Sequence, residues 1–231
     1  MDLQALLDLD TQILRWFNGS DNLFVDQLAV VLTNGFTWLP LYLVLLYLVI
    51  KNNETMSQIM LIVGCSLLCI ILADGLADFI AKPYFARWRP SNDPMLKYSI
   101  DIVDNIRGGD YGFFSAHAAN TMSLTVFFCL LVRNRIFSVF MVAWSLMNCW
   151  TRLYLGLHYP GDILVGLLWG VIAGLVAYYC FYKIFFKISP KIQYVSTQYT
   201  SSGYSISDID MVLAVMSLTF VLALIYSLTL Q

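Results

Sequence analysis

Three short clusters of basic, imidazole and acidic side chains contain the residues best suited to chemistry on an anionic ester. They occupy residues 82–90, 114–117 and 151–162, and they include both histidines of the chain, His117 and His158. Transfer of a negatively charged group needs cations, hydrogen-bond donors and a nucleophile around it. The clusters supply all of these, so their residue types are compatible with the transfer of an anionic group such as a phosphoryl group.

Three cations in these clusters suit the equatorial oxygens of a phosphoryl group in its transition state. They are Lys82, Arg89 and Arg152. Arginine offers a planar pair of donors that fits two phosphate oxygens at once. Lys82 and Arg89 can instead serve as interfacial anchors of a membrane helix, an alternative that the residue types alone leave open.

Two helix starts are predicted beside the histidines. Ser115 is placed to cap the apolar helix that follows it, so that the amides from Ala116 onward face an anion with the help of the helix dipole. Pro160 suits the first turn of a later helix, and Asp162 falls in that turn. Asp162 is then within reach of the imidazole of His158, four residues earlier.

The composition of the whole chain is that of an integral membrane protein. Of its 231 residues, 59% are hydrophobic and 12% are charged, whereas soluble domains are about one quarter charged. This excludes an ordinary soluble domain and a disordered chain. The net charge of −2 provides no basic field for nucleic acid.

Six apolar segments approach the length of about 20 residues that a membrane-spanning helix needs. The predicted spans are 36–50, 57–80, 115–132, 136–154, 162–186 and 209–230, and the helical stretch 24–32 can begin the first of them. We therefore predict an all-α fold: a polytopic membrane bundle of about six transmembrane helices, with residues 1–231 forming a single domain.

The N-terminal segment 1–34 is predicted to begin with an amphipathic helix on the membrane interface, not with a signal peptide. The apolar residues that recur there at near-helical spacing are Leu3, Leu6, Ile13, Leu14 and Phe17. Asp10 interrupts this stripe, so a solvated tail is the alternative.

The five cysteines are predicted to be packing residues. All lie in apolar stretches without CxxC spacing, which disfavours a disulfide framework or a metal site. They are Cys65, Cys69, Cys129, Cys149 and Cys180.

Two membrane crossings separate the second cluster from the third, so topology allows all three clusters to meet on one face. The opposite face carries basic span edges and the polar loop 187–208, which favours the cytoplasm for that face. The numbers of cations on the two faces are nearly equal. The tie is broken because most cations on the cluster face belong to the clusters themselves.

The order of these residues resembles the type 2 phosphatidic acid phosphatase superfamily of membrane lipid phosphatases. The pattern is Lys, six residues and Arg-Pro, then Ser-x-His, then Arg, five residues, His, three residues and Asp. It lies within residues 74–175, and three clusters in order are far more specific than any one. Phe114, Ala116 and Thr151 stand where proline, glycine and serine are usual. Of these, the methyl group of Ala116 can narrow the approach of phosphate to its amide.

The resemblance implies a role for each matched residue. His158 is the implied nucleophile, which forms a phosphohistidine, and Asp162 fixes its tautomer. His117 is the implied acid that protonates the leaving oxygen and later activates water. The implied phosphate-binding residues are Lys82, Arg89, Ser115, Ala116 and Arg152. Because side chains fill the electrostatic role, we expect neither a metal nor a cofactor.

Some charged neighbours of the pattern have no implied role. Arg87 lies within the first cluster, and headgroup contact and catalysis are equally open for it. Asp74 and Asp78, one helical turn apart and just before Lys82, either orient the cations or pair across helices.

The expected function is hydrolysis of a phosphate from a lipid phosphate or diphosphate in the bilayer, and undecaprenyl diphosphate is the favoured substrate. The reasons are the short external loop and a loose resemblance of residues 18–26 to short bacterial undecaprenyl-diphosphatases. A group of cations, Arg87, Lys97 and Arg107, is a candidate second phosphate site.

Alternatives remain open at this stage. Within the class they are a lipid A phosphatase and a phosphatidylglycerophosphate phosphatase. A non-catalytic phospholipid-binding or lipid-transport protein is the alternative outside it, although retention of His117, His158 and Asp162 favours catalysis. The expected location is the bacterial inner membrane, with the active site facing the periplasm or exterior. The oligomeric state is not predicted.

Overall fold

The computed structural model describes residues 3–188 and 197–230, and within these ranges its architecture is helical, as predicted. In chain order the α-helices are α1 Leu3–Phe17, α2 Leu23–Thr33, α3 Leu39–Lys51, α4 Met56–Leu76, α5 Lys82–Phe85, α6 Ala116–Val132, α7 Arg135–Tyr154, α8 Pro160–Ile188 and α9 Ile206–Thr229. Residues 189–196 of the predicted loop 187–208 lie outside the described residues.

Four helices in the described ranges are long and apolar enough to cross a membrane. They are Met56–Phe85, Arg135–Tyr154, Pro160–Lys187 and Ile206–Thr229. The helix pair formed by α2 and Gly35–Lys51 passes the same test when taken together, with a bend of 67°. The remaining predicted span, α6, is a shorter apolar helix of 17 residues. The predicted all-α membrane bundle is therefore confirmed, and the four long helices, the bent pair and α6 correspond to its six predicted spans.

The second span is longer than predicted, because the helix does not end at residue 80. It continues through a wide π-helical turn, Ala77–Ala81, into α5. Pro83 is the signal for an earlier end, since its ring clashes with the carbonyl of residue i−4 in a regular helix. In the structure Pro83 stands in the first turn of α5, directly after the π-helical turn, and a first-turn position tolerates proline. Lys82 consequently lies within the helix, one turn after Asp78.

Three glycines on α8 bring its backbone against α6. A Cβ placed at any of them would lie 2.6 Å from a backbone carbonyl oxygen of Ser115, Ala119 or Ser123. These glycines, four residues apart, are Gly166, Gly170 and Gly174. Small residues permit such close helix contacts in membranes. The contact sets the starts of α6 and α8 side by side, and the Ser115 amide donates to the Asp162 carbonyl at 3.1 Å.

The loop between α5 and α6 folds back on itself in an antiparallel pairing. Trp88 and Tyr111 form an isolated bridge, and the amides of Arg89 and Gly112 each donate across it at 2.9 Å. Because alternate residues of an extended segment point to the same side, Arg87 and Arg89 both face the start of α8.

Helix α1 confirms the predicted N-terminal helix, whereas its place on the membrane interface stays a prediction. Leu14 is buried and Trp16 is 85% exposed. Asp10, which interrupts the apolar stripe, is turned toward the protein and is only partly exposed. The cysteines are confirmed as free, and each is buried or half-buried.

The described part of the 187–208 loop lies at the opposite end of the bundle from the three clusters. Ser202 Oγ donates to the carbonyl of Val132 at 2.9 Å, and Val132 is the last residue of α6. The start of α6 is about 25 Å away along the helix axis.

The glycine stripe gives a test of the α6–α8 contact. We expect Gly170→Ala to lower the free energy of unfolding by about 1–3 kcal/mol, because its methyl group would overlap the Ala119 carbonyl. Gly64→Ala is the matched control, since a Cβ at Gly64 has nothing within 4 Å. Thermal unfolding in detergent measures both. Equal stability of the two variants would contradict the tight contact.

Candidate active site

All three clusters meet at a cavity of about 460 Å³ at one end of the bundle. Its lining residues are Asp74, Asp78, Lys82, Arg89, Ile106, Arg107, Gly108, Ala116, His117, Asn120, Arg152, Leu157 and His158. Both histidines and the three cations of the pattern are among them. The three clusters, which the even number of membrane crossings allows on one face, therefore do come together in the structure.

His158 is almost completely buried, with 2% of its surface exposed. Its Nε2 lies 3.2 Å from Nη1 of Arg89. A guanidinium only donates hydrogen bonds, so Nε2 must be the acceptor and the ring proton belongs on Nδ1. Nδ1 faces Oδ2 of Asp162 at 3.6 Å, which is longer than a hydrogen bond. The Nδ1 proton therefore faces the Asp162 carboxylate without a normal hydrogen bond, and the Nε2 lone pair faces Arg89, which also lines the cavity.

Burial lowers the pKa of His158 to about 4, and Arg89 adds to this effect while Asp162 opposes it. The imidazole is therefore neutral at neutral pH. A nucleophilic histidine needs this state, because only the neutral ring has a free lone pair.

Asp162 lies in the first turn of α8, which begins at Pro160 as predicted. Its side chain is fully buried. Oδ2 accepts from the amide of Tyr159 at 3.1 Å, and Oδ1 accepts from Nη1 of Arg87 at 2.7 Å. These two donors fix the rotation of the carboxylate that faces His158.

Arg89 is held in place by backbone groups. Its Nε donates to the carbonyl of Tyr111 at 3.2 Å, and its Nη1 to that of Leu157 at 3.3 Å. Gly108 packs against the guanidinium, where a Cβ would lie 2.6 Å from Cζ. Sequence reasoning did not single out Gly108, because its importance depends on the folded position of Arg89.

The other two cations of the pattern differ in their pairing. Lys82 forms an ion pair with Asp78. Arg152 is buried, its Nη2 donates to the Thr33 carbonyl at 3.5 Å, and its Nε has no hydrogen-bond partner among the described residues. Arg152 thus lines the cavity with a guanidinium whose hydrogen-bonding capacity is largely unfilled by the described residues.

The start of α6 forms as predicted, but only two of its three predicted site residues line the cavity. The Ser115 side chain is buried and accepts from the amide of Ala118 at 3.4 Å, so it caps the helix and does not line the cavity. Ala116 and His117 line the cavity directly. First-turn amides have no intrahelical acceptor, so those of Ala116 and His117 are suited to an anion.

Asp74 near the end of α4 and Asp78 in the π-helical turn that follows divide the roles that the sequence left open. Asp78 pairs with a cation, Lys82. Asp74 pairs across helices, because its Oδ1 accepts from Nδ2 of Asn120 on α6 at 2.6 Å. Asn120 is a cavity residue that the sequence analysis missed.

The predicted group of three cations for a second phosphate does not form. Arg87 is bound by Asp10 and Asp162, and Lys97 lies over the ring of Tyr98 at 5.0 Å. Of the three, only Arg107 lines the cavity. The loop pairing turns Arg87 toward α8, which sequence spacing alone did not reveal.

Comparison with known proteins agrees with the pattern. The PAP2 superfamily profile matches residues 62–186. A lipid A 4'-phosphatase of Bacteroides thetaiotaomicron is 39% identical over 167 residues, covering 72% of this chain and 74% of that protein. One from Porphyromonas gingivalis is 29% identical over 167 residues, covering 71% of this chain and 70% of the relative. No solved structure matches the chain.

Gly108 provides a test of the Arg89 position. We expect Gly108→Ala to displace the guanidinium and to lower kcat/KM for an aryl phosphate by about 10–100-fold, the effect of losing a hydrogen bond to a charged group. Gly109→Ala is the matched control, because a Cβ there has nothing within 4 Å. Equal kcat/KM for the two variants would contradict a role for Arg89 in binding phosphate.

Proposed function

The chain belongs to the PAP2 superfamily, and from that premise we propose that this membrane lipid phosphatase removes a monophosphate from a sugar lipid of the lipid A type. The observation that carries the proposal is its similarity to two lipid A 4'-phosphatases, each over about seven-tenths of both chains. The chain is a phosphoric monoester hydrolase of a bacterial membrane, and we propose a sugar lipid as its substrate.

The charges of the cavity support a monophosphate. Its cations are Lys82, Arg89, Arg107 and Arg152, and its acids are Asp74 and Asp78. The difference of two positive charges balances one phosphate dianion, whereas a diphosphate brings additional negative charge near the acids. Carboxylates and the Asn120 amide also suit the hydroxyl groups of a sugar, since both accept hydrogen bonds.

We assign the first chemical step to His158. Its Nε2 lone pair attacks phosphorus, the bond to the leaving oxygen breaks, and His117 donates a proton to that oxygen. Arg89 contacts Nε2 at 3.2 Å, and a bound phosphate oxygen would accept from the guanidinium in its place. Substrate binding would thereby release the lone pair for attack.

The second step returns the enzyme to its starting state. His117, now without its proton, takes one from water, and the resulting oxygen attacks phosphorus. The nitrogen–phosphorus bond then breaks, and its electron pair returns to Nε2 of His158. Asp162 stabilises the positive imidazole ring between the two steps, which is the usual part of an acid behind a histidine.

A panel of pure lipids tests the substrate. We expect kcat/KM for the 4'-phosphate of lipid A to exceed the values for undecaprenyl diphosphate and phosphatidylglycerophosphate by more than about tenfold, or roughly 1.4 kcal/mol. Asp74→Asn should narrow the margin over undecaprenyl diphosphate, because it removes negative charge from the cavity. A tenfold preference of the wild type for undecaprenyl diphosphate would overturn the sugar-lipid proposal and support the expectation from sequence.

Histidine variants test the mechanism. We expect His158→Ala to abolish turnover without leaving a covalent species. His117→Ala should lose about 10²–10⁴-fold in rate on a lipid substrate. With an aryl phosphate, whose leaving group needs little protonation, it should accumulate phosphohistidine at His158. Acid-quenched mass spectrometry detects the adduct. Phosphate on another residue, or full activity of His158→Ala, would refute these roles.

We further propose that the active site faces the periplasm or exterior of the inner membrane. The basic span edges at the opposite end support this orientation. Single cysteines at Asp101 and Ser201, introduced into a chain without its five native cysteines, test it with a membrane-impermeant reagent in intact spheroplasts. We expect labelling at Asp101 alone. Labelling at Ser201 alone would reverse the orientation.

A further inference from the structure

Arg87, which is not part of the matched pattern, lies between two carboxylates, those of Asp162 and Asp10. Its Nη1 donates to Oδ1 of Asp162 at 2.7 Å, and its Nη2 donates to Oδ2 of Asp10 at 2.6 Å. The guanidinium carbon also lies 4.1 Å from the ring centroid of Tyr159. Because the guanidinium is rigid and planar, these three contacts fix both its position and its plane.

Asp10 is itself fixed by the helix that carries Asp162. Its Oδ1 accepts from the amide of Gly161 at 2.7 Å, a first-turn amide of α8 that has no intrahelical acceptor. A Cβ at Gly161 would lie 3.0 Å from Oδ2 of Asp10, so the glycine leaves space for the carboxylate. Helix α1 is thereby joined to the start of α8 one residue before Asp162.

We propose that Arg87 and Asp10 are positioning residues of the phosphatase, which hold Asp162 in the rotation that directs Oδ2 toward Nδ1 of His158. The proposal rests on the roles given above to His158 and Asp162. Because Arg87 occupies Oδ1, only Oδ2 is left to face the imidazole. Helix α1, which lies outside the region that the family profile matches, thus contributes to catalysis.

The charges of this group suit the intermediate. Two carboxylates and one guanidinium carry a net charge of −1, and His158 gains one positive charge when Nε2 bonds to phosphorus. Burial lowers the pKa of Arg87, but Asp162 and Asp10 together raise it above its ordinary value, so the guanidinium stays charged. Arg87 pairs with Asp10 as well as with Asp162, so its single positive charge does not fully neutralise the Asp162 carboxylate. Asp162 therefore still attracts the imidazolium.

Steady-state kinetics of Arg87→Gln, Asp10→Asn and the double variant on an aryl phosphate test the proposal. We expect kcat to fall about 10–100-fold in Arg87→Gln and about tenfold in Asp10→Asn, the scale of losses when a supporting contact behind a reactive ligand is removed. KM should change by less than about threefold, because the phosphate-binding cations remain. The double variant should be no slower than Arg87→Gln, since Asp10 acts through Arg87.

Asp8→Asn is the matched control, because it makes the same change on the same helix at an exposed side chain and should leave kcat unchanged. Wild-type kcat in Arg87→Gln, or independent multiplication of the two losses in the double variant, would overturn the proposal. Should Arg87→Gln fail to fold, comparison of Asp10→Asn with Asp8→Asn decides, and equal kcat values there would also overturn it.

Asp162→Asn separates this inference from the mechanism on which it rests. Full kcat in Asp162→Asn would refute the mechanism, and the positioning roles with it. A slow Asp162→Asn beside a fully active Arg87→Gln would refute only the positioning roles. Losses in both, with KM retained, are the expected result.

Discussion

The fully buried carboxylate of Asp162, facing a neutral imidazole, is the contact on which this end of the bundle depends. A buried carboxylate is costly unless it is paired and hydrogen-bonded. Asp162 obtains its donors from the Tyr159 amide, one residue before α8, and from Arg87 in the loop after α5. Its position therefore requires the start of α8, the folded-back loop and the α6–α8 contact to form together.

The cavity beside His158 is lined by cations that would repel one another without partners. Asp78 offsets the charge of Lys82, whereas the buried Arg152 has one weak contact to the Thr33 carbonyl and an unpaired Nε in the described part of the chain. Underpaired buried cations lower stability, a cost that functional sites commonly carry. The residue best placed to gain from a bound phosphate is therefore Arg152.

Much of this arrangement was predictable from sequence, because its signals are local. Ser115 as a cap and Pro160 at a helix start follow from residue type and position alone. The glycine stripe on α8 was not predicted, since its meaning depends on the helix opposite it. The extension of the second span past Pro83 also escaped prediction, because a proline normally ends a helix and the sequence has no signal for the π-helical turn that precedes this one.

The contact between Asp10 and Arg87 shows why a sequence motif does not identify every residue of a site. The two residues are 77 positions apart, and the family profile begins at residue 62. Sequence showed only an acid that interrupts an apolar stripe on a short helix. The loop pairing that directs Arg87 and the first-turn amide that binds Asp10 both arise in the tertiary fold. With the positioning roles that we propose for Asp10 and Arg87, the chemistry of this chain depends on a helix that lies outside the residues matched by the family profile.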